Sequence, residues 1–273
     1  MLITSRDNPT VRLFRRLLAD GKARREEGAF VIEGARLCQD AALSGVEIRA
    51  VLYTARAAET YAPQLEPVRA ACPQAHEIPE PLAKSLADTA SPQGIFCLCG
   101  MLDNREAFAK IGNNPPRRGY LALENMQDPA NLGAVIRTAE AFGLDGLLLS
   151  EGCCDLYNPK VLRASMGGVF RLPAAFVGGM PEAVRTLQAR GLECWACVID
   201  RDAVPLPRAE LGPRSVCVIG NEGAGLLPQT AAACAHRLTI PMAGRAESLN
   251  ASMAAGIVMW EMTRQGMAAP AAE

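Results

Sequence analysis

DPANLGAVIRTAEAFG, residues 128–143, carries its own helix boundaries. Asp128 is placed to cap, Pro129 fits the first helical position, and Gly143 fits the stop beyond the last turn. At helical pitch Leu132, Val135, Ile136, Ala139 and Phe142 make one apolar face. Arg137 points almost opposite that face, where a charged, solvated surface is expected. Its neighbours there are instead Ala130, Gly133, Ala134 and Ala141. Small residues around one arginine imply that something packs close: backbone, a ligand or another subunit. The plainer reading is a surface arginine snorkelling toward Glu140 at i+3.

Around this helix the chain alternates. YLALEN (120–125) reads as the strand before it and GLLLSEG (146–152) as the strand after it. NPKVLRASMGG (158–168) and MPEAVRTLQARG (180–191) read as helices, with AAFVGG (174–179) as a short strand between them. LECWACVID (192–200), SVCVIG (215–220) and RLTIPM (237–242) are strand-like. GLLPQTAAACA (225–235) is helical, and ESLNASMAAGIVMWEMTRQ (247–265) is a long final helix. Strand–helix units with continuously apolar strands predict a mostly parallel sheet covered on both faces. Upstream, VRLFRRLLADG (11–21), ARLCQDAALSG (35–45) and PEPLAKSLADTA (79–90) read as helices. AFVIEG (29–34), VEIRAVLYT (46–54) and GIFCLCGML (94–102) read as strands. IGNNPPRRG (111–119) lacks apolar periodicity and marks the boundary. The expected division is a domain over 1–103, a linker over 104–118, a second domain over 119–268 and a frayed tail over 269–273.

The chain has 273 residues, 49% of them apolar, which suits about two domains. No apolar run reaches the ~18–20 residues that cross a bilayer, and MLITSRDNPTVRLFRR lacks the apolar core of a secretory signal. The expectation is a cytoplasmic chain whose ten cysteines stay reduced. Most of these lie in apolar runs and act as small hydrophobes. Cys194-Trp195-Ala196-Cys197 is a lone CxxC in a chain with two histidines, so no metal site is expected. A net charge of −1 argues against indiscriminate coating of nucleic acid. Arg6, Arg12, Arg15, Arg16, Lys22, Arg24 and Arg25 nevertheless crowd the first 25 residues, either as a phosphate-binding patch or as a solvated amphipathic helix.

Three segments follow strands in the second half, where open parallel sheets bind ligands. The first is ENMQDPANLGAVIR (124–137). The second, GNEGAGLL (220–227), has glycines that let backbone approach a ligand but lacks the lysine of a P-loop and the GxGxxG spacing. Glu222 there suits ribose hydroxyls or an arginine; a plain Gly-rich turn is the alternative. The third is AGRAESLNASMAAG (243–256). Ser248 reads as the N-cap of the last helix, Asn250 lies two residues on, and small residues follow.

Together NMQDPANLGAVIRTAEAFG, VIGNEGAGLL and LTIPMAGRAESLNASMAAGIVMWE resemble the SpoU (TrmH-like) family of RNA ribose methyltransferases, of the SPOUT class. The likeness covers nearly all of residues 120–264, with no departure that would mark an inactive enzyme. RREEGAFVIEGARL and TASPQGI resemble, more weakly, that family's L30e-like RNA-binding domain. The resemblance implies an α/β fold with a SPOUT-type parallel sheet and C-terminal trefoil knot, preceded by a smaller L30e-like α/β domain. It also implies a homodimer that binds S-adenosylmethionine in the knot. Cofactor positions map onto Gly220, Ile240 and Leu249, with Ile219, Asn221, Met242 and Ser248 beside them.

The reaction implied is methyl transfer to a ribose 2′-hydroxyl, needing no metal and no membrane. The resemblance puts Arg137 at that hydroxyl. A guanidinium stays protonated, so holding a phosphate or the nascent alkoxide suits it better than general-base work. Asn131 is expected to brace its loop or reach a partner's site, Glu222 to orient Arg137, and Ser248 and Asn250 to bond cofactor, ribose or backbone. Arg24, Arg25 and Arg36 are the expected RNA contacts; Phe30 reads as core before it reads as a base-stacking ring. The expected substrate is 23S ribosomal RNA. A transfer RNA, a base-nitrogen target, a small-molecule nucleotide substrate, or a non-catalytic RNA-binding or ribosome-assembly factor on the same fold are the alternatives.

Overall fold

The first strand pairings form around continuous apolar runs. A computed structural model describes residues 2–264 apart from 73, 90, 103, 105, 106 and 114, so the tail expected over 269–273 lies outside the described residues. The chain folds as two units, Met1–Leu102 with Asp155–Arg171, and Asp103–Cys154 with Leu172–Glu273.

In the first unit, α1 (Pro9–Ala19) is capped by Asn8 and buries Val11, Phe14 and Leu17. Helix α2 (Gly21–Glu27) starts at Asp20, whose side chain accepts from the Lys22 amide. Then come β1 (Ala29–Glu33), α3 (Ala35–Leu43), β2 (Ile48–Tyr53), α4 (Ala55–Thr60), α5 (Ala62–Ala71), β3 (Ala75–Glu77), α6 (Glu80–Leu86) and β4 (Ile95–Gly100). The strands form one sheet in the order β1-β4-β2-β3. Strand β4 runs antiparallel to both β1 and β2, while β3 lies parallel to β2. Periodicity missed α2, α4 and α5. Their small and charged residues give weak apolar stripes, and Pro67 interrupts the helical signal of α5.

The second unit opens with α7 (Ala107–Lys110), β5 (Tyr120–Leu123), α8 (Pro129–Ala141) and β6 (Gly146–Ser150). Helix α8 has the ends read from the sequence. Asp128 Oδ1 accepts from the Ala130 amide, Pro129 is the first helical residue, and Gly143 takes a φ of +70°. The chain then contributes Asp155–Arg171, including α9 (Pro159–Ala164), to the first unit. There Tyr157 packs 4.6 Å from Phe30, and its hydroxyl accepts from the Leu102 amide. The expected linear division assigned this stretch to the second domain.

The remaining elements are β7 (Ala174–Val177), α10 (Met180–Ala189), β8 (Glu193–Cys197), β9 (Val204–Pro205), β10 (Ser215–Ile219), α11 (Pro228–Ala233), β11 (His236–Thr239) and α12 (Ala251–Thr263). Their sheet has seven strands in the order β7-β6-β5-β10-β8-β11-β9, and every pair is parallel. Such a sheet needs helices on its faces. Helix α12 packs on α8 and β10, and α10 packs on β8 and α11. Leu123 sits opposite Ile219, so the carboxyl ends of β5 and β10 lie side by side. The second and third loops therefore open on the same edge as the first.

The last helix begins later than expected. Its cap is Asn250, not Ser248: Asn250 Oδ1 accepts from the amides of Ser252 and Met253 at 2.9 and 3.2 Å. Residues 243–250 are exposed loop. The cysteines of the CxxC lie at β8, where burial pushes the Cys194 thiol up to about 12, keeping it neutral. Among the described residues no cluster of His, Cys, Asp and Glu could hold a metal, and no helix is long and apolar enough to cross a membrane.

Candidate functional site

Three loops meet beyond the carboxyl ends of β5, β10 and β11, and one carboxylate joins two of them. Glu222 accepts from the amides of Gln127 and Asp128 at 3.2 and 3.1 Å, and from Asn131 Nδ2 at 3.1 Å. Asn250 Nδ2 donates to Asn131 Oδ1 at 3.0 Å, which brings in the third loop. The result is a directional chain, Asn250 to Asn131 to Glu222. Each amide uses its donor on one neighbour and its acceptor on another. Asn131 is buried by these partners although it is polar.

The loop carrying Glu222 is closed on itself. Asn221 and Gly225 exchange backbone hydrogen bonds of 3.0 Å, and Asn221 Oδ1 accepts from the amides of Gly223 and Ala224. Asn221 Nδ2 reaches across to the Asn125 carbonyl at 2.8 Å. Asn125 itself has a φ of +56°, a conformation that asparagine tolerates better than most residues, and its amide donates to Ser150 Oγ. At Gly220 any Cβ would run into the Gly225 carbonyl and the Leu226 amide. Glycine is required there by this close approach.

Burial pushes the Glu222 carboxyl up. The hydrogen bonds from its own amide, Asn131, Asp128 and Gln127 outweigh that and hold it below the ordinary carboxylate value. The loop lock is thus fully formed above that ordinary value and is lost as pH falls through the lowered one.

These residues line a cleft of about 630 Å³, large enough for a nucleoside-sized ligand. Asn131, Asn221, Glu222, Ser248, Leu249 and Asn250, all singled out from the sequence, line it. Gln127 and Asp128 join them although the sequence offered Asp128 only as a cap. Ile219, Gly220, Ile240 and Met242 do not line it; Ile219 is buried at the end of β10, and Gly220 packs against its own loop. The lining carries two carboxylates, Asp128 and Glu222, and no lysine or arginine. It suits a ligand bearing positive charge over a polyphosphate.

Two expectations need correction. Within one chain Glu222 does not orient Arg137, because its oxygens are taken by the Gln127 and Asp128 amides just before α8 and by the Asn131 and Asn221 side-chain amides. Arg137 lies six residues beyond Asn131, about 9 Å along the helix and about 120° round it. It is exposed, and no described residue bonds to it, Glu140 included. Arg24 is not a phosphate contact. It is 4% exposed, pairs with Asp155 at 2.7 Å and donates to the carbonyls of Leu17 and Leu18. A buried guanidinium needs such partners, and they leave it no free fork. Arg25 and Arg36 are exposed, and Phe30 is core.

This fold defines an α/β protein with a cleft at the carboxyl ends of a parallel sheet. A family model described as the SpoU rRNA Methylase family matches residues 119–260, and one described as an MRM3-like substrate binding domain matches residues 8–97. The chain is 30% identical over 241 residues to a 23S rRNA (guanosine(2553)-2′-O)-methyltransferase of Bacillus subtilis, covering 88% of this chain and 91% of the relative. It is 30% identical over 274 residues to a 23S rRNA (uridine(2479)-2′-O)-methyltransferase of Streptomyces viridochromogenes, covering 96% and 92%. An AdoMet-bound rRNA methyltransferase from Sinorhizobium meliloti superposes with a TM-score of 0.86 at 29% identity, covering 98% of this chain and 99% of that one. The chain belongs to the SpoU methylase family of RNA 2′-O-methyltransferases.

Proposed function

We propose that this protein methylates a ribose 2′-hydroxyl of 23S ribosomal RNA, with S-adenosylmethionine as donor. The observation that carries the reading is the Asn250–Asn131–Glu222 chain, which fixes three loops around one acidic cleft. The cleft's size and its carboxylates fit a donor whose sulfonium and ammonium are cationic. When bound, that donor supplies a methyl group already activated for in-line displacement. Loop residues Asn221, Ser248 and Leu249 would hold it, with Ile219, Gly220, Ile240 and Met242 packing behind. The chain's remaining work is to orient the acceptor hydroxyl and stabilise charge developing on its oxygen.

Arg137 takes that second role. Lying about 120° round α8 from Asn131 and exposed, it would serve the partner's site in a homodimer. An exposed apolar stripe on α12 supports the dimer: Met253, Ile257 and Trp260 are 65%, 41% and 49% exposed at i, i+4 and i+7. Replacing Met253 and Trp260 together by serine is expected to yield monomers in analytical ultracentrifugation and to abolish turnover. A dimer surviving the double change would rule out this face. The trefoil knot implied by the family would bring the 220–227 and 240–250 loops together, and the protein would act in the cytoplasm.

The domain over 1–103 would choose the RNA, with Arg25 and Arg36 as its phosphate contacts. Changing both to glutamine should weaken RNA binding and lower the slope of log affinity against log salt by about 2. An unchanged slope removes them from the interface. For the whole reading, the test is transfer of labelled methyl groups from the donor to unmodified transcripts. Label is expected in 23S rRNA and not in transfer RNA. Label in transfer RNA alone would reassign the substrate, and label in neither would favour a non-catalytic RNA-binding factor.

A further inference from the structure

Glu124, which the reading above does not use, ties down both ends of the loop over residues 220–227. It follows β5 directly and is 2% exposed. Its amide donates to the Ile219 carbonyl at 2.8 Å, at the point where the loop leaves β10. Its carboxylate reaches the other end: Oε2 accepts from the Leu227 amide at 2.8 Å, and Oε1 accepts from the hydroxyl of Thr230, which is fully buried. Leu227 is the cap residue of α11 and has no side-chain cap of its own. Glu124, just past the end of β5, instead holds the amide of that cap residue and the hydroxyl three residues on.

We propose that Glu124, with Thr230, is a positioning residue that clasps the donor-binding loop in its competent shape. The proposal rests on the donor being bound by this loop. Without the clasp, both ends stay covalently attached, but the Leu227 amide and the Thr230 hydroxyl lose their buried acceptor. The loop then spends part of its time open. Apparent donor affinity falls in proportion to the competent fraction, whereas saturating donor restores the closed form. The signature is a raised KM for S-adenosylmethionine at nearly constant kcat.

Glu124→Leu removes both acceptors at similar volume, and Glu124→Gln serves as the conservative control. A glutamine can still accept from Leu227 and donate to the Thr230 oxygen. KM for the donor is expected to rise about ten- to a hundredfold in Glu124→Leu, to rise severalfold in Thr230→Val, and to stay near wild type in Glu124→Gln. In hydrogen exchange without donor, the Leu227 amide should lose protection in Glu124→Leu but keep it in Glu124→Gln. Unchanged KM and unchanged Leu227 protection in a folded Glu124→Leu would overturn the clasp. Where that variant fails to fold, unchanged values in Thr230→Val do the same. Altered exchange in a protein that binds no S-adenosylmethionine would keep the clasp and sink the donor assignment instead.

Discussion

Arg137→Ala is expected to lower kcat by about 10²–10³-fold, the range seen when one preorganised donor to a developing oxyanion is removed. Donor binding, measured by calorimetry, should be unchanged, because Arg137 does not line the cleft. Folding should also be unaffected: the side chain is exposed and bonds to no described residue, and such surface changes usually stay within about 0.5 kcal/mol. Arg137→Lys sharpens the result. Lysine keeps the charge but loses the planar fork, so it should recover only part of the rate if the guanidinium grips two oxygens at once. Full activity in Arg137→Ala would return this residue to the plain surface role that its helix position also permits.

Gly220→Ala should also have a large effect, by a different route. The new methyl group would meet main-chain atoms of Gly225 and Leu226, and these cannot swing aside as a side chain can. The loop must deform, at a cost typical of overpacking, about 1–3 kcal/mol or more. That deformation would break the paired Asn221 and Gly225 hydrogen bonds and displace Glu222 from the Gln127 and Asp128 amides that lead into α8. Calorimetric affinity for S-adenosylmethionine is expected to drop by at least about tenfold, with a lowered melting temperature. Unaltered affinity would mean that the donor does not depend on this loop.

Local chemistry made much of the second unit legible. Helix α8 declared both ends through Asp128, Pro129 and Gly143, and the runs SVCVI and GLLLS read as buried parallel strands because every residue in them is apolar or small. Asn131, Asn221 and Leu249 were legible through the resemblance of the three loops to the SpoU family, whereas Glu222, Ser248 and Asn250 also stood out as polar groups in loops that follow strands. Partners distant in sequence were not legible. Glu222 accepts from residues more than ninety positions away, so its preference for the Gln127 and Asp128 amides over Arg137 depends on how the loops meet. Arg24 misled because a basic sequence context looks the same whether the guanidinium faces water or, as here, Asp155, 131 residues on. Ser248 and Asn250 are both good caps, and only the path of the 240–250 loop decides between them.

The most direct test of the chemistry is the position of the transferred methyl group. Unmodified 23S rRNA would be incubated with the protein and methyl-labelled S-adenosylmethionine, then hydrolysed completely with alkali. Alkaline cleavage needs a free 2′-hydroxyl, so a ribose methyl leaves its label in an alkali-resistant dinucleotide. That product is expected from the wild-type chain, and its initial rate of formation is expected to fall by about 10²–10³-fold with Arg137→Ala. Label recovered instead in mononucleotides, as a methylated base would give, would contradict the proposed chemistry.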